Sequence, residues 1–209
     1  MRLFSKGVSI NRDAFFLIRS MKNPQHEHKK SLIFLTGFMG SGKSTIGPIL
    51  ANTLGFEYLD VDKHIEQKTN KRVAEIFSSE GEQVFRALER DALLELTEHN
   101  HCVISLGGGT IANEENCRLV LQKGILVYLK LSPEEIIERV QRRSDRPMLK
   151  DEHGNQLSPP ELKNRVLDLM NRREQFYARA NVVINADNMR VGTTVDTIMK
   201  NIHFMIGKE

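Results

Sequence analysis

Residues 37 to 44 read Gly37-Phe38-Met39-Gly40-Ser41-Gly42-Lys43-Ser44, a match to the pattern G-x-x-x-x-G-K-[ST]. An apolar stretch, Leu32 to Thr36, runs directly into it, and an amphipathic stretch follows directly. No other feature limits the fold as much. A strand that ends in such a turn must pass the chain to a helix whose positive end faces an anion. The glycines let the backbone wrap around phosphate oxygens, so that successive N–H groups point at the anion. Lys43 is then placed to reach the β- and γ-phosphates of a nucleoside triphosphate, and the Ser44 hydroxyl to ligate Mg²⁺. Gly40, Ser41, Gly42 and Thr45 complete the nucleotide-binding stretch. One residue jars: Pro48 cannot donate to the Ser44 carbonyl, at a cost of about 3 kcal/mol inside a helix, so the sequence reads either as a kink or loosened first turn or as a proline tolerated early in the helix.

The rest of the chain alternates short apolar runs with amphipathic segments, which implies βαβ units and a parallel sheet. The predicted strands are Leu32 to Thr36, Phe56 to Asp60, Cys102 to Leu106, Ile125 to Leu129 and Val182 to Ala186. Between them, three sets fall on helical faces: Ile46, Ile49, Leu50 and Leu54; Phe85, Leu88, Ala92 and Leu96; and Val195, Ile198, Met199 and Ile202. Ser132-Pro133-Glu134-Glu135 and Ser158-Pro159-Pro160-Glu161 each place Ser at a helix cap, Pro in the first turn and Glu three residues on. Arg143 to Leu157, between those two starts, is long for a connection and reads as a lid, which we extend to about residue 160.

Length and composition fit this picture. The 209 residues hold one α/β domain, and 40% hydrophobic with 27% charged residues excludes collagen-like, low-complexity and wholly disordered chains. The longest strongly apolar run, Ile125 to Leu129, is strand-sized, so no membrane span is expected. Cys102 and Cys117 stand in no finger or C-x-x-C spacing, which favours a reducing compartment and the cytoplasm. Of the net charge of +3, residues 1 to 30 carry +5, from seven Lys/Arg against Asp13 and Glu27, and the remainder carries −2. A near-neutral body with 6% aromatic residues offers no basic stripe with stacking rings, so no nucleic-acid partner is expected. Residues 1 to 30 read as a flexible basic extension rather than an organelle-targeting peptide, having three serines and no cleavage signal. Residues 31 to 209 form the domain.

Further candidates lie outside the phosphate loop. Asp60-Val61-Asp62 ends the second predicted strand, and if the strand persists both carboxylates point the same way, toward the phosphate loop. Asp60 is placed to hold Mg²⁺ through water. Asp62 is placed to orient an acceptor hydroxyl and take its proton, the competing reading being a helix cap. The third strand runs into Gly107-Gly108-Gly109, where many phosphate-loop proteins carry an acid. Arg86 stands between Glu82 and Glu89 at helical spacings, which alone read as an ordinary salt-bridged face. His99-x-His101-Cys102 reads as loop residues at a strand entrance rather than a soft-metal site.

These pieces together resemble the shikimate kinases. The phosphate loop, Asp60-x-Asp62, the segment Phe77 to Glu89 with Arg86, the Gly107 to Gly109 turn, Arg146-Pro147 and Arg173-x-x-Phe176-Tyr177 occur in the family's order, over about Leu32 to Val191. The resemblance implies a P-loop nucleoside-monophosphate-kinase-like fold of three layers: a five-stranded parallel sheet in the order 2-3-1-4-5 with helices and a mobile lid. It implies ATP and Mg²⁺, phosphorylation of the 3-hydroxyl of shikimate, and a place in the chorismate pathway to aromatic amino acids. Carried over by position, Asp62, Arg86, Gly108, Gly109 and Arg173 bind shikimate. Asp62 is the base, and Arg86 and Arg173 grip the carboxylate. Glu89 holds Arg86 in place, and Arg146 swings in with the lid to neutralise the transferring phosphoryl group. Arg143 and the turn Asp187 to Arg190 are the candidates for adenine contacts. The chain departs from the family in having Glu174-Gln175-Phe176-Tyr177 where a proline often precedes Leu-Tyr, and in the lid stretch Lys150 to Leu157. A monomer is expected. A gluconate or nucleoside-monophosphate kinase, or a catalytically silent nucleotide-binding relative, remains open at this stage.

Overall fold

In the computed structural model, which describes residues 31–141, 155 and 157–206, the five predicted strands form one parallel sheet. They are β1 (Leu32–Thr36), β2 (Glu57–Asp60), β3 (Cys102–Ser105), β4 (Ile125–Lys130) and β5 (Val182–Asn185), in the order β2-β3-β1-β4-β5. The helices, in chain order, are α1 (Lys43–Leu54), α2 (Val61–Thr69), α3 (Val73–Ser79) and α4 (Glu82–Leu96), then α5 (Glu114–Lys123), α6 (Pro133–Gln141), α7 (Pro159–Tyr177) and α8 (Val191–Ile202). Strand order reverses on either side of β1, so a crevice opens beyond its carboxyl end, where the phosphate loop begins.

Strand alternation distributes the core between the two faces. Leu32 and Phe34 of β1 pack with Val61, Phe85, Leu93 and Val120, whereas Ile33 and Leu35 pack with Ile46, Leu50, Val195 and Ile198. A helical layer therefore covers each face, α2, α4 and α5 on one and α1 and α8 on the other. A third cluster joins α6 to α7 through Ile136, Val140, Leu162, Val166 and Leu169, and Phe38 of the phosphate loop is buried within it. That anchor seats the loop on a packed base.

The caps follow the sequence. Ser132 Oγ accepts the Glu135 N–H at 3.3 Å, and the Glu161 carboxylate accepts both the Ser158 N–H at 2.9 Å and its hydroxyl at 2.5 Å. Helix α1 runs unbroken through Pro48, an exposed position in its second turn, as a tolerated proline would allow. One expectation is corrected. Ile49 is 42% exposed rather than part of the core face, because the buried stripe of α1 is Ile46, Gly47, Leu50 and Ala51. The ring of Tyr58 lies where a Cβ on Gly47 would sit, 2.3 Å away, so α1 lies close on β2 at that point. Pro159 and Pro160 open α7, as the Ser158 cap predicts, so the last residues of the stretch read as a lid belong to this helix. Most of the remaining lid stretch, with Arg143 and Arg146, lies outside the described residues.

Candidate active site

The phosphate loop is shaped by backbone angles that side chains rarely adopt. Gly37, Gly40 and Gly42 have φ of 148°, 82° and 95°, and Gly42 caps α1 in the left-handed region. A Cβ on Gly37 would meet the Leu129 carbonyl oxygen at 2.6 Å. Lys43 Nζ folds back over the loop and donates to the carbonyls of Gly37 at 2.8 Å and Phe38 at 3.2 Å. Ser44 and Thr45 are exposed in the first turn of α1. Beside the loop lies a cleft of about 370 Å³, bordered by Gly40, Ser41, Thr45, Arg139, Met189 and Val191.

Asp62, Arg86, Gly107, Gly108, Gly109 and Arg173 line a second, smaller pocket of about 100 Å³, to which the phosphate loop contributes Met39. The five residues that the resemblance assigns to the acceptor thus converge from α2, α4, the β3–α5 turn and α7. The strand ends at Asp60, as predicted, and does not persist through Asp62, which lies in the first turn of α2. The helix cap is Asp60, whose Oδ1 accepts the Lys63 N–H at 3.2 Å. Its other oxygen accepts the Tyr58 hydroxyl at 3.2 Å. Burial first, then the Asp60 carboxylate, pushes the Tyr58 phenol up to about 12, so it remains a donor.

The two arginines are held differently. Arg86 Nη1 donates to Glu89 at 2.6 Å, and its Nε and Nη2 donate to Glu82 at 3.2 and 3.0 Å. Glu89 is 1% exposed and also accepts the Thr110 hydroxyl at 2.6 Å, while Asn116 donates to the Thr110 carbonyl at 2.8 Å. Burial opposes the charge on Arg86, but Glu89 and then Glu82 outweigh it and hold the guanidinium above its ordinary value. Arg173 is 6% exposed and lies over the Phe38 ring, 5.4 Å from its centroid.

The glycine turn explains its own composition. A Cβ on Gly109 would fall 2.7 Å from Arg86 Nη1, and one on Gly108 would fall 3.3 Å from Arg173 Nη1. On that same Gly108 position the Gly37 carbonyl and Met39 amide are 3.6 and 3.7 Å away, so the turn abuts the phosphate loop and Arg173 together. The Tyr177 hydroxyl fixes this turn by donating to the Gly108 carbonyl at 2.5 Å. Burial pushes Tyr177 up to about 12, with Arg173 pulling the other way.

Sequence reasoning missed Arg139, Thr110, Asn116 and a role for Tyr177. Arg139 reads as an i, i+4 partner of Glu135, and it is one, at 2.7 Å, but its Nη1 also donates to the Gly40 carbonyl at 3.0 Å and borders the nucleotide cleft. In the expected adenine turn, Asp187 is engaged elsewhere, accepting the Ser132 N–H at 2.9 Å, and Met189 is the residue that reaches the cleft.

The fold and the paired pockets define a P-loop small-molecule kinase. The family model for shikimate kinase matches residues 39–203. A shikimate kinase of Chlorobium limicola is 47% identical over 172 residues, spanning 82% of this chain and 86% of its own length. Among solved structures, shikimate kinase from Bacteroides thetaiotaomicron has a TM-score of 0.75 at 32% identity, covering 82% of this chain and 98% of that one. Shikimate kinase from Acinetobacter baumannii in complex with shikimate also scores 0.75, at 34% identity, covering 84% and 94%. The chain belongs to the shikimate kinase family.

Proposed function

We propose that the protein transfers the γ-phosphoryl group of ATP to the 3-hydroxyl of shikimate, giving shikimate 3-phosphate and ADP. The observation that carries this reading is the position of Gly108, which lines the acceptor pocket and lies between the phosphate loop and Arg173. Arg86 and Arg173 present guanidinium forks suited to a carboxylate, which favours an acidic ring over a nucleotide base or a neutral sugar. Asp62 lines the same pocket and is the carboxylate assigned to the acceptor hydroxyl.

Asp62 accepts the proton of the attacking hydroxyl as the oxygen bonds to the γ-phosphorus and the bond to the β-phosphate oxygen breaks. Lys43 leaves the carbonyls of Gly37 and Phe38 and follows the charge that develops on the phosphates. Arg146 is assigned the closing role from the lid. The oxygen donors here fit Mg²⁺: the exposed Ser44 hydroxyl and the Asp60 carboxylate, reached through water, match a hard cation that keeps much of its hydration. When bound, Mg²⁺ supplies charge neutralisation at the phosphate oxygens. Arg139 and Met189 flank the place for the base.

No helix among the described residues is long and apolar enough to cross a membrane, and Cys102 and Cys117 are both free thiols. Free thiols fit a reducing compartment, and with it the reading of a cytoplasmic monomer that acts in the supply of chorismate. The test is a coupled ADP-release assay with shikimate, gluconate and AMP in parallel. Turnover with shikimate alone is expected. Preference for gluconate or AMP, or nucleotide binding without any phosphorylated product, overturns the reading.

A further inference from the structure

At the opposite end of the sheet from the active site, the fold brings together three side chains of different chemistry. Glu57 and Cys102 begin β2 and β3 and are direct partners in the parallel register, while His99 lies in the turn after α4. Glu57 Oε2 is 3.9 Å from Cys102 Sγ and 3.9 Å from His99 Nδ1, and one ligand atom from each residue falls within 4.8 Å of the other two. His101, the nearer histidine in sequence, is not part of the group; its ring packs edge-on against Phe56 at 5.2 Å.

We propose that Glu57, His99 and Cys102 form a binding site for a divalent cation of the zinc class. Three arguments converge. Ligand bonds of about 2.0 to 2.3 Å at a tetrahedral zinc imply ligand separations of about 3.3 to 3.7 Å, so the group needs to close by only a few tenths of an ångström to an ångström. Glu57 and His99 are exposed and free to make that adjustment, while Cys102 is fixed in the sheet. The donor set of one sulfur, one imidazole nitrogen and one carboxylate oxygen suits a borderline-soft ion and not Mg²⁺. A thiolate and a carboxylate also balance a dication, with water at the fourth position.

On binding, the Cys102 thiol gives its proton to the buffer and exchanges its contact with the Asn100 carbonyl, 3.2 Å away, for the metal bond. Without metal, burial and then the Glu57 carboxylate push that thiol up to about 11, which leaves it a poor nucleophile. The ion would pin the starts of β2 and β3 to the end of α4. The chemistry lies at the other ends of these strands, about 10 Å away for strands of this length, so the site stabilises rather than reacts.

The test is a Co²⁺ titration of the full chain in excess Mg²⁺ without nucleotide, read by absorption. One equivalent is expected to give a thiolate-to-cobalt charge-transfer band with tetrahedral ligand-field intensity, both displaced by Zn²⁺. Cys102→Ser should abolish the band, Cys117→Ser should keep it, and His99→Ala should weaken binding at least about tenfold. A band that is absent, that survives Cys102→Ser or that moves with Cys117→Ser overturns the proposal. Should Cys102→Ser fail to fold, the exposed variants His99→Ala and Glu57→Gln decide alone, and unchanged affinity in both overturns it.

Discussion

The two halves of the active site are built from different materials. The nucleotide half is backbone: three glycines at positive φ and the start of α1, with one lysine folded across them. The acceptor half is side chain: two arginines and an aspartate from separate elements, held by buried carboxylate, hydroxyl and phenol groups. A phosphate presents many equivalent oxygens and is satisfied by a ring of amides, whereas one particular hydroxylated acid needs charges placed at chosen corners. The first kind of site is compact in sequence. The second is scattered over more than a hundred residues.

Substitutions can break this contrast, beginning with the most severe. Lys43→Ala should abolish transfer, by a factor of about a thousand or more in kcat, because it removes the charge that follows the transferring phosphate; near-normal turnover would refute the cradle. Asp62→Asn should lower kcat at least about a hundredfold while the protein still binds both substrates, as measured by calorimetry. Unchanged kcat removes Asp62 from the base role. Arg173→Ala should weaken shikimate by about 2 to 5 kcal/mol and spare ATP. Equal losses for both ligands would mean that the halves are not separable in this way. Tyr58→Phe keeps the ring against Gly47 and deletes only the hydroxyl that holds Asp60, so an effect of about tenfold on the Mg²⁺ requirement, with little change in the KM for shikimate, is expected. Smallest of all, removal of residues 1 to 28 should leave both kcat and KM unchanged; a soluble but inactive truncation would assign that stretch to the working enzyme.

The same contrast explains what could be read in advance. The strands, the caps at Ser132 and Ser158 and the phosphate loop are local or periodic signals, whereas the order of the strands comes only through the resemblance to the family; each is found as expected. Asp62 lines one pocket with Arg86 and Arg173, but the chain turns into α2 immediately after Asp60, so the helix and not strand alternation aims it. Arg86 could be recognised only through the family's ordered motifs, because Glu82 and Glu89 give it the look of a surface ion pair, and Glu89 proves to be buried. Thr110 and Asn116 carry no pattern at all; their value comes from a hydrogen-bond chain that exists only once the β3–α5 turn has closed. Arg139 was concealed by a second, local partner that accounts for it fully on paper. Glu57 and Cys102 are 45 positions apart and become neighbours only through parallel pairing of their strands.

Gly108 has a further consequence. Because one turn abuts both the phosphate loop and Arg173, the seats proposed for nucleotide and acid share a wall. Linkage then requires symmetry: whatever factor the nucleotide adds to the acid's affinity, the acid returns to the nucleotide. The order in which the two arrive therefore cannot alter the free energy of the ternary state, and a ratio of affinities measured from one side must reproduce the ratio measured from the other.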